Sequence, residues 1–160
     1  MAKAAKPVPD GYHTITPQLT LDNAAQTIYW YKRALGAEEL SRSLGPDGKV
    51  MHAEIKIGDS RVMVNDVMMG AKGPQGFGGS PAALWLYVEN SDALFNRAVE
   101  AGGTVQMPID DQFWGDRAGA IGDPNGYTWW IATRKEELTD AELQQRAAEA
   151  FKQMAQPAPR

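Results

Sequence analysis

The chain predicts an α+β fold of two tandem βαβββ modules followed by a C-terminal helix. Three observations carry that prediction. LTLDNAAQTIYWYKRALGAEEL and LYVENSDALFNRAVEAGGTVQ each set an Asn 13 residues before a Gly, Asn23 before Gly36 and Asn90 before Gly103, so both landmarks recur at an offset of 67. Further on, IKIGDSRVMV parallels GAIGDPNGYTWWIA, with Asp59 and Asp123 64 residues apart. The longer turn from Pro124 to Gly126 restores the offset to 67, which sets Met63 level with Trp130. In each copy, strand-period alternation also flanks a single stretch of helical period.

The elements follow in order. Residues 14–21 alternate as a strand, and Asp22 or Asn23 caps the helix that follows. That helix carries Ala25, Ile28, Tyr31 and Leu35 on one stripe and stops at Gly36, a residue suited to the left-handed position after a helix. Strands at 38–43 and 49–57 make a hairpin around Gly45-Pro46-Asp47-Gly48, and 60–66 completes the module. The second copy reads as strands near 83–88, 104–109, 117–122 and 127–132, with a helix at 91–101. One domain therefore spans 11–135, with module 1 at 12–66, a Gly-rich connector at 67–81 and module 2 at 82–133. A tail precedes it at 1–10, and a helix and tail follow at 136–160. Thr139 with Glu142 forms a capping box for that last helix, which runs to about residue 154. Its Leu143, Ala147, Phe151 and Met154 suit docking on the body or on a second subunit.

Bulk properties exclude several function classes. A net charge of −4, with no Lys/Arg cluster, argues against a nucleic-acid surface, which needs a basic patch. The cysteine count is 0, so disulfide and thiolate chemistry are excluded and a reducing cytoplasm fits. MAKAAKPVPDGYH lacks the apolar core of a signal peptide, and no apolar run is long enough to cross a bilayer. The expected partner is a small molecule rather than a nucleic acid or a membrane.

Alternation sorts the strand residues into two faces. Ile15, Leu19, Leu21, Ala53, Ile55, Ile57, Val62, Val64, Leu84, Leu86, Val88 and Ile131 fall on the face that helices should cover. Thr16, Gln18, His52, Glu54, Lys56, Met63, Asn65, Trp85, Tyr87, Thr128 and Trp130 fall on the other. Aromatics beside few charges are what a small-molecule pocket uses for stacking and orientation. Core or dimer-interface packing is the competing explanation.

The duplicated module, the helix IYWYKRALGA and the DPNGY turn resemble the vicinal oxygen chelate superfamily of glyoxalases, bleomycin-resistance proteins and dioxygenases. GYHTITPQLTLDNAAQTIYWYKRALGAEEL, MHAEIKIGDSRVMVND and DDQFWGDRAGAIGDPNGYTWWIA are similar to its PhnB-like branch, over about residues 11–135. The resemblance implies sheets that curl into a half-barrel, and homodimers that complete the sites. Metal-dependent members take one ligand from the first and fourth strands of each module. Those positions fall here on Thr16, Met63, Ala83 and Trp130, none of them a good divalent-cation ligand. The resemblance therefore implies no metal and no cofactor, and a ligand held in a groove as bleomycin-binding members hold theirs.

Two kinds of chemistry stay open. His52 and Glu54 lie two apart on one strand and form a candidate acid–base pair, or an atypical metal site with a neighbour such as Asp66. An isomerase or lyase would use that pair catalytically; a binding protein would use it to orient a ligand. Gln112-Phe113-Trp114-Gly115-Asp116-Arg117 reads as a wall or gate in which Arg117 clamps a ligand carboxylate, or else Asp116 and Arg117 pair to brace the hairpin. The candidate ligand-binding set is thus Thr16, Gln18, Met63, Asn65, Trp85, Tyr87, Phe113, Trp114, Arg117 and Trp130. Asp123-Pro124-Asn125-Gly126 reads as turn chemistry alone.

Overall fold

The computed structural model describes residues 6–155, so positions 1–5 of the expected N-terminal tail and 156–160 of the C-terminal tail lie outside the described residues. The first module comprises β1 (Gln18–Leu21), α1 (Ala24–Leu35), β2 (Glu38–Leu44), β3 (Val50–Ile57) and β4 (Ser60–Asp66). A short α2 (Pro74–Phe77) interrupts the connector. The second module comprises β5 (Ala83–Tyr87), α3 (Ser91–Glu100), β6 (Thr104–Asp111), β7 (Asp116–Gly122) and β8 (Thr128–Arg134), and α4 (Asp140–Met154) ends the fold. The strand orders are β1-β4-β3-β2 and β5-β8-β7-β6, two open four-stranded sheets of the same topology.

The repeat is visible in the hydrogen bonds. Gln18 pairs with Met63 and Trp85 with Trp130, each residue displaced by 67 from its counterpart. Asp66 Oδ1 accepts the Ala24 N–H at 2.7 Å, and Thr133 Oγ1 accepts the Ser91 N–H at 2.8 Å, again at 67. Asn23, not Asp22, caps α1 by accepting the Gln26 N–H, and Asn90 caps α3 in the same way. Gly36 ends α1 at φ 68°, where a Cβ would be strained.

Several expected boundaries move for physical reasons. β1 starts at Gln18 rather than 14, because Pro17 has no N–H to donate and can only open the strand; its carbonyl still accepts the Met63 N–H. Ile15 therefore does not reach the helix-covered face and is 84% exposed. Ala25 is exposed as well, the buried stripe of α1 being Ala24, Thr27, Ile28, Tyr31, Ala34 and Leu35 with Trp30. β6 continues to Asp111 through two register shifts, and it tolerates Pro108 because it is an edge strand.

α1 and α3 pack against one another, each covering the apolar face of its own sheet. Trp30 Nε1 donates to the Ala101 carbonyl, and Arg97 donates to the carbonyls of Lys32 and Arg33 at the end of α1. Leu21, Ile28, Tyr31, Ile55, Val64, Phe95, Ile121, Trp129 and Ile131 form one core shared by both modules. Gly119 admits Phe95 of α3 to the sheet, where a Cβ would lie 2.6 Å from the ring. The last helix docks only partly: Leu143 and Ala147 are half-buried, whereas Phe151 and Met154 stay 63% and 72% exposed.

Candidate functional site

Because the helices take one face of each sheet, the other two faces are left as separate surfaces. Alternation alone does not separate these two surfaces, and the fold assigns the polar and the aromatic residues to different sheets. On the first sheet, Gln18 donates to Asn65 Oδ1 at 2.9 Å, and Asn65 in turn donates to Thr20 Oγ1 at 3.4 Å. Glu54 sits across the ladder from Met63, with His52 Nε2 3.6 Å from one carboxylate oxygen and Arg61 Nη1 3.0 Å from the other. The Arg61 guanidinium also lies over the Tyr12 ring, 4.7 Å from its centroid. The Tyr12 hydroxyl beside it, and to a lesser degree Arg61 and His52, hold the Glu54 carboxyl below the usual range against a smaller opposing effect of burial. Asp66 is no third ligand to this pair, since its two oxygens accept the backbone N–H groups of Ala24 and Val50.

The depressed Glu54 value has a testable sign. A carboxylate with a lowered folded-state pKa contributes stability above its unfolded value, near 4.5, and loses it as pH falls through the folded value. Glu54→Gln should therefore be less stable than wild type by about 0.5–1 kcal/mol at neutral pH. The gap should close under acid conditions in paired urea titrations, and a gap independent of pH would contradict this reading.

On the second sheet, Trp85 and Trp130 stack as a cross-strand pair, with centroids 4.7 Å apart and planes 2° from parallel. Tyr87, next on the same face of β5, lies 6.2 Å from Trp85. Trp114 stands edge-on to both indoles at 6.2 and 6.4 Å, and Phe113 stands edge-on to Trp114 at 5.0 Å. Ala118, Ala120 and Ala132 share this face of the sheet and are almost completely buried. Trp85, Tyr87, Trp114 and Trp130 line an open cleft of about 380 Å³. Trp85 remains 42% exposed and Tyr87 63%, an unusual amount of aromatic surface in contact with water.

Arg117 is not part of this cleft. It neighbours Asp116 on β7, so alternation turns it to the helix face. There its fork donates to both oxygens of Asp92 on α3, at 2.6 and 2.7 Å, and to Asp111 at 3.2 Å. The expected Asp116–Arg117 brace is likewise absent. Asp116 Oδ2 instead accepts the Tyr87 hydroxyl at 2.9 Å and the Trp114 N–H at 3.0 Å, and the hydrogen bond to Asp116 raises the Tyr87 pKa above its ordinary value.

A groove of about 1010 Å³ runs between the free edges of β1 and β5. Thr16, Gln18 and Arg61 line it from the first module, and Trp85 and Tyr87 from the second. Here residues of the polar and the aromatic sets line a common space.

A family model for the Glyoxalase/Bleomycin resistance protein/Dioxygenase superfamily matches residues 12–131. This chain belongs to that superfamily. The uncharacterized protein Rv0887c of Mycobacterium tuberculosis is 42% identical over 135 residues, covering 81% of this chain and 79% of the relative. Protein YjdN of Escherichia coli is 27% identical over 147 residues, covering 78% and 98%. Among solved structures, TioX from Micromonospora sp. ML1 superposes with a TM-score of 0.62 at 23% identity, covering 79% of this chain and all of the other. The PhnB protein from Bacillus cereus superposes at 0.59 and 18% identity, covering 76% and 99%. These structures share the glyoxalase-type fold.

The superfamily's metal positions do not fit a divalent cation in this chain. Met63 and Trp130 occupy the fourth strands, and their partners on the first strands are Gln18 and Trp85. Thr16 lies ahead of β1, and Ala83 pairs with Thr128. Thioether, indole and methyl groups are poor ligands for hard or borderline cations. Among the described residues no three His, Asp or Glu side chains converge as a metal site requires.

Three groups escaped the sequence reading. Tyr12 covers Arg61 from outside the expected strands, with no periodic signal to mark it. Asp116 was legible only as half of an Asp-Arg pair. Asp123 and Asn125 looked like turn residues, yet both are buried and tie the modules together.

Proposed function

We propose that this superfamily member is a metal-independent small-molecule-binding protein that sequesters a planar aromatic compound in the second-sheet cleft. The observation that carries the reading is the Trp85–Trp130 stack, standing open to solvent between Tyr87 and the edge of Trp114. Offset and edge contacts between rings favour such a platform for an aromatic guest, and exposed indoles gain most from being covered. The unsuitable residues at the metal positions support the same reading.

The alternative, acid–base catalysis by His52 and Glu54, is less favoured. Glu54 already accepts from Arg61 beside Tyr12, and its lowered pKa makes it a weaker proton acceptor. His52 and Glu54 also lie on the other sheet from the aromatic cleft.

The working form we propose is a homodimer. β1 and β5 each leave one edge unpaired, and Ile15 beside the β1 edge is 84% exposed. Unpaired edges with apolar flanks are templates for further strand pairing, which a second copy of this chain satisfies. Native mass spectrometry before and after addition of zinc, nickel or manganese tests both statements. The expected result is a dimer that retains no stoichiometric metal. A tightly held metal per chain contradicts metal independence, and a strict monomer contradicts the dimer.

A further inference from the structure

The charge of the ligand can be read from what lies behind the rings, given that the second-sheet cleft is the ligand site. Asp116 is only 5% exposed, and register places it on the same face as Trp130. Its Oδ2 gathers the Tyr87 O–H and the Trp114 N–H. Among the described residues no Lys or Arg forms an ion pair with it. Arg134, directly across the ladder, is 4.0 Å from Glu137 and donates to the Glu136 carbonyl, and its charge reaches the Tyr87 hydroxyl without a direct pair to Asp116.

A buried carboxylate held by neutral donors alone keeps its negative charge facing the surface above it. Ring faces carry the negative lobe of the aromatic quadrupole, and donation to a carboxylate enriches the Tyr87 and Trp114 rings further. Asp110 adds a second, exposed carboxylate on the same face, opposite Ala118. Four electron-rich rings, backed by an unpaired carboxylate, attract positive charge. We propose that the cleft binds an organic cation whose charge is carried on a methylated or delocalised ring nitrogen.

The same features disfavour other ligands. A neutral aromatic gains the stacking but no attraction to the Asp116 charge. A carboxylate-bearing ligand is repelled by the charges of Asp116 behind the rings and Asp110 on the same face, and Arg117 cannot help it because its fork is occupied by Asp92 and Asp111 on the far face.

Three quinolines of similar size and different charge form the test: the cation N-methylquinolinium, neutral lepidine and anionic cinchoninate. They are compared by isothermal titration calorimetry on the full chain at slightly alkaline pH, where lepidine is uncharged. N-methylquinolinium should bind about tenfold tighter than lepidine, with cinchoninate weakest. Asp116→Asn should weaken the cation far more than it weakens lepidine, so that the gap between the two closes. The wild-type ranking needs no variant, so misfolding of Asp116→Asn does not blunt the test. Lepidine binding as tightly as the cation would overturn the charge inference while leaving the aromatic site standing. Failure of all three to bind would overturn both.

Discussion

Asp123→Ala is expected to destabilise the protein by about 4 kcal/mol, lowering the melting temperature by roughly 10 °C. Asp123 is 7% exposed, and its two oxygens accept four hydrogen bonds. Tyr31 donates at 2.6 Å and Trp129 at 3.0 Å to Oδ2, while the backbone N–H groups of Asn125 and Tyr127 donate to Oδ1. Tyr31 and Trp129 are themselves buried, so truncation leaves a phenol and an indole N–H without partners and without water. Burial, with the Asp123 charge beside it, pushes the Tyr31 hydroxyl pKa well up, so Tyr31 stays the donor of this pair. Tyr31 belongs to the first module and Asp123 to the second, so the substitution loosens the joint between them. Tyr31→Phe removes one donor and should cost much less, about 1 kcal/mol. Urea denaturation of both variants checks the prediction, and a loss below about 1 kcal/mol for Asp123→Ala would show that the joint is carried elsewhere.

The second large effect concerns binding rather than stability. Trp85→Ala combined with Trp130→Ala should weaken binding of a planar probe such as N-methylquinolinium by about a hundredfold, roughly tenfold for each ring. Trp85 is 42% exposed and Trp130 half-buried, so removing them takes little from the core. The folded variant should retain its cooperative unfolding. Loss of affinity without loss of structure separates a ligand platform from a packing cluster. Unchanged affinity in the double variant would remove the cleft from the account.

Much of the fold was legible because the repeat is written in punctuation as well as in hydrophobic pattern. Asn23 and Asn90 cap, and Gly36 terminates α1, so the modules could be aligned at an offset of 67 and their strands numbered. The edges were less legible. Pro17 shortened β1 where alternation alone ran on to residue 14, and Ile15 was misplaced with it. Face assignment within each strand was sound for Leu19, Ile55, Val64 and Ile131 on the covered side, and for Trp85 and Trp130 on the other. Alternation along one strand, however, says nothing about which sheet lies beside which. His52 and Glu54 therefore shared a list with Trp130, although the fold puts them on different sheets. Arg117 shows the same limit at closer range: its partner Asp92 sits on α3, 25 residues away in sequence, while the neighbouring Asp116 faces the other side of the sheet.

A crystal structure of the protein with N-methylquinolinium bound decides where the ligand sits. The expected result is the ring in the second-sheet cleft, in contact with Trp85, Tyr87, Trp114 and Trp130, with its charged nitrogen toward Asp116. A ring seated instead on the first sheet, against His52 and Glu54, would contradict it and return the acid–base reading to the front.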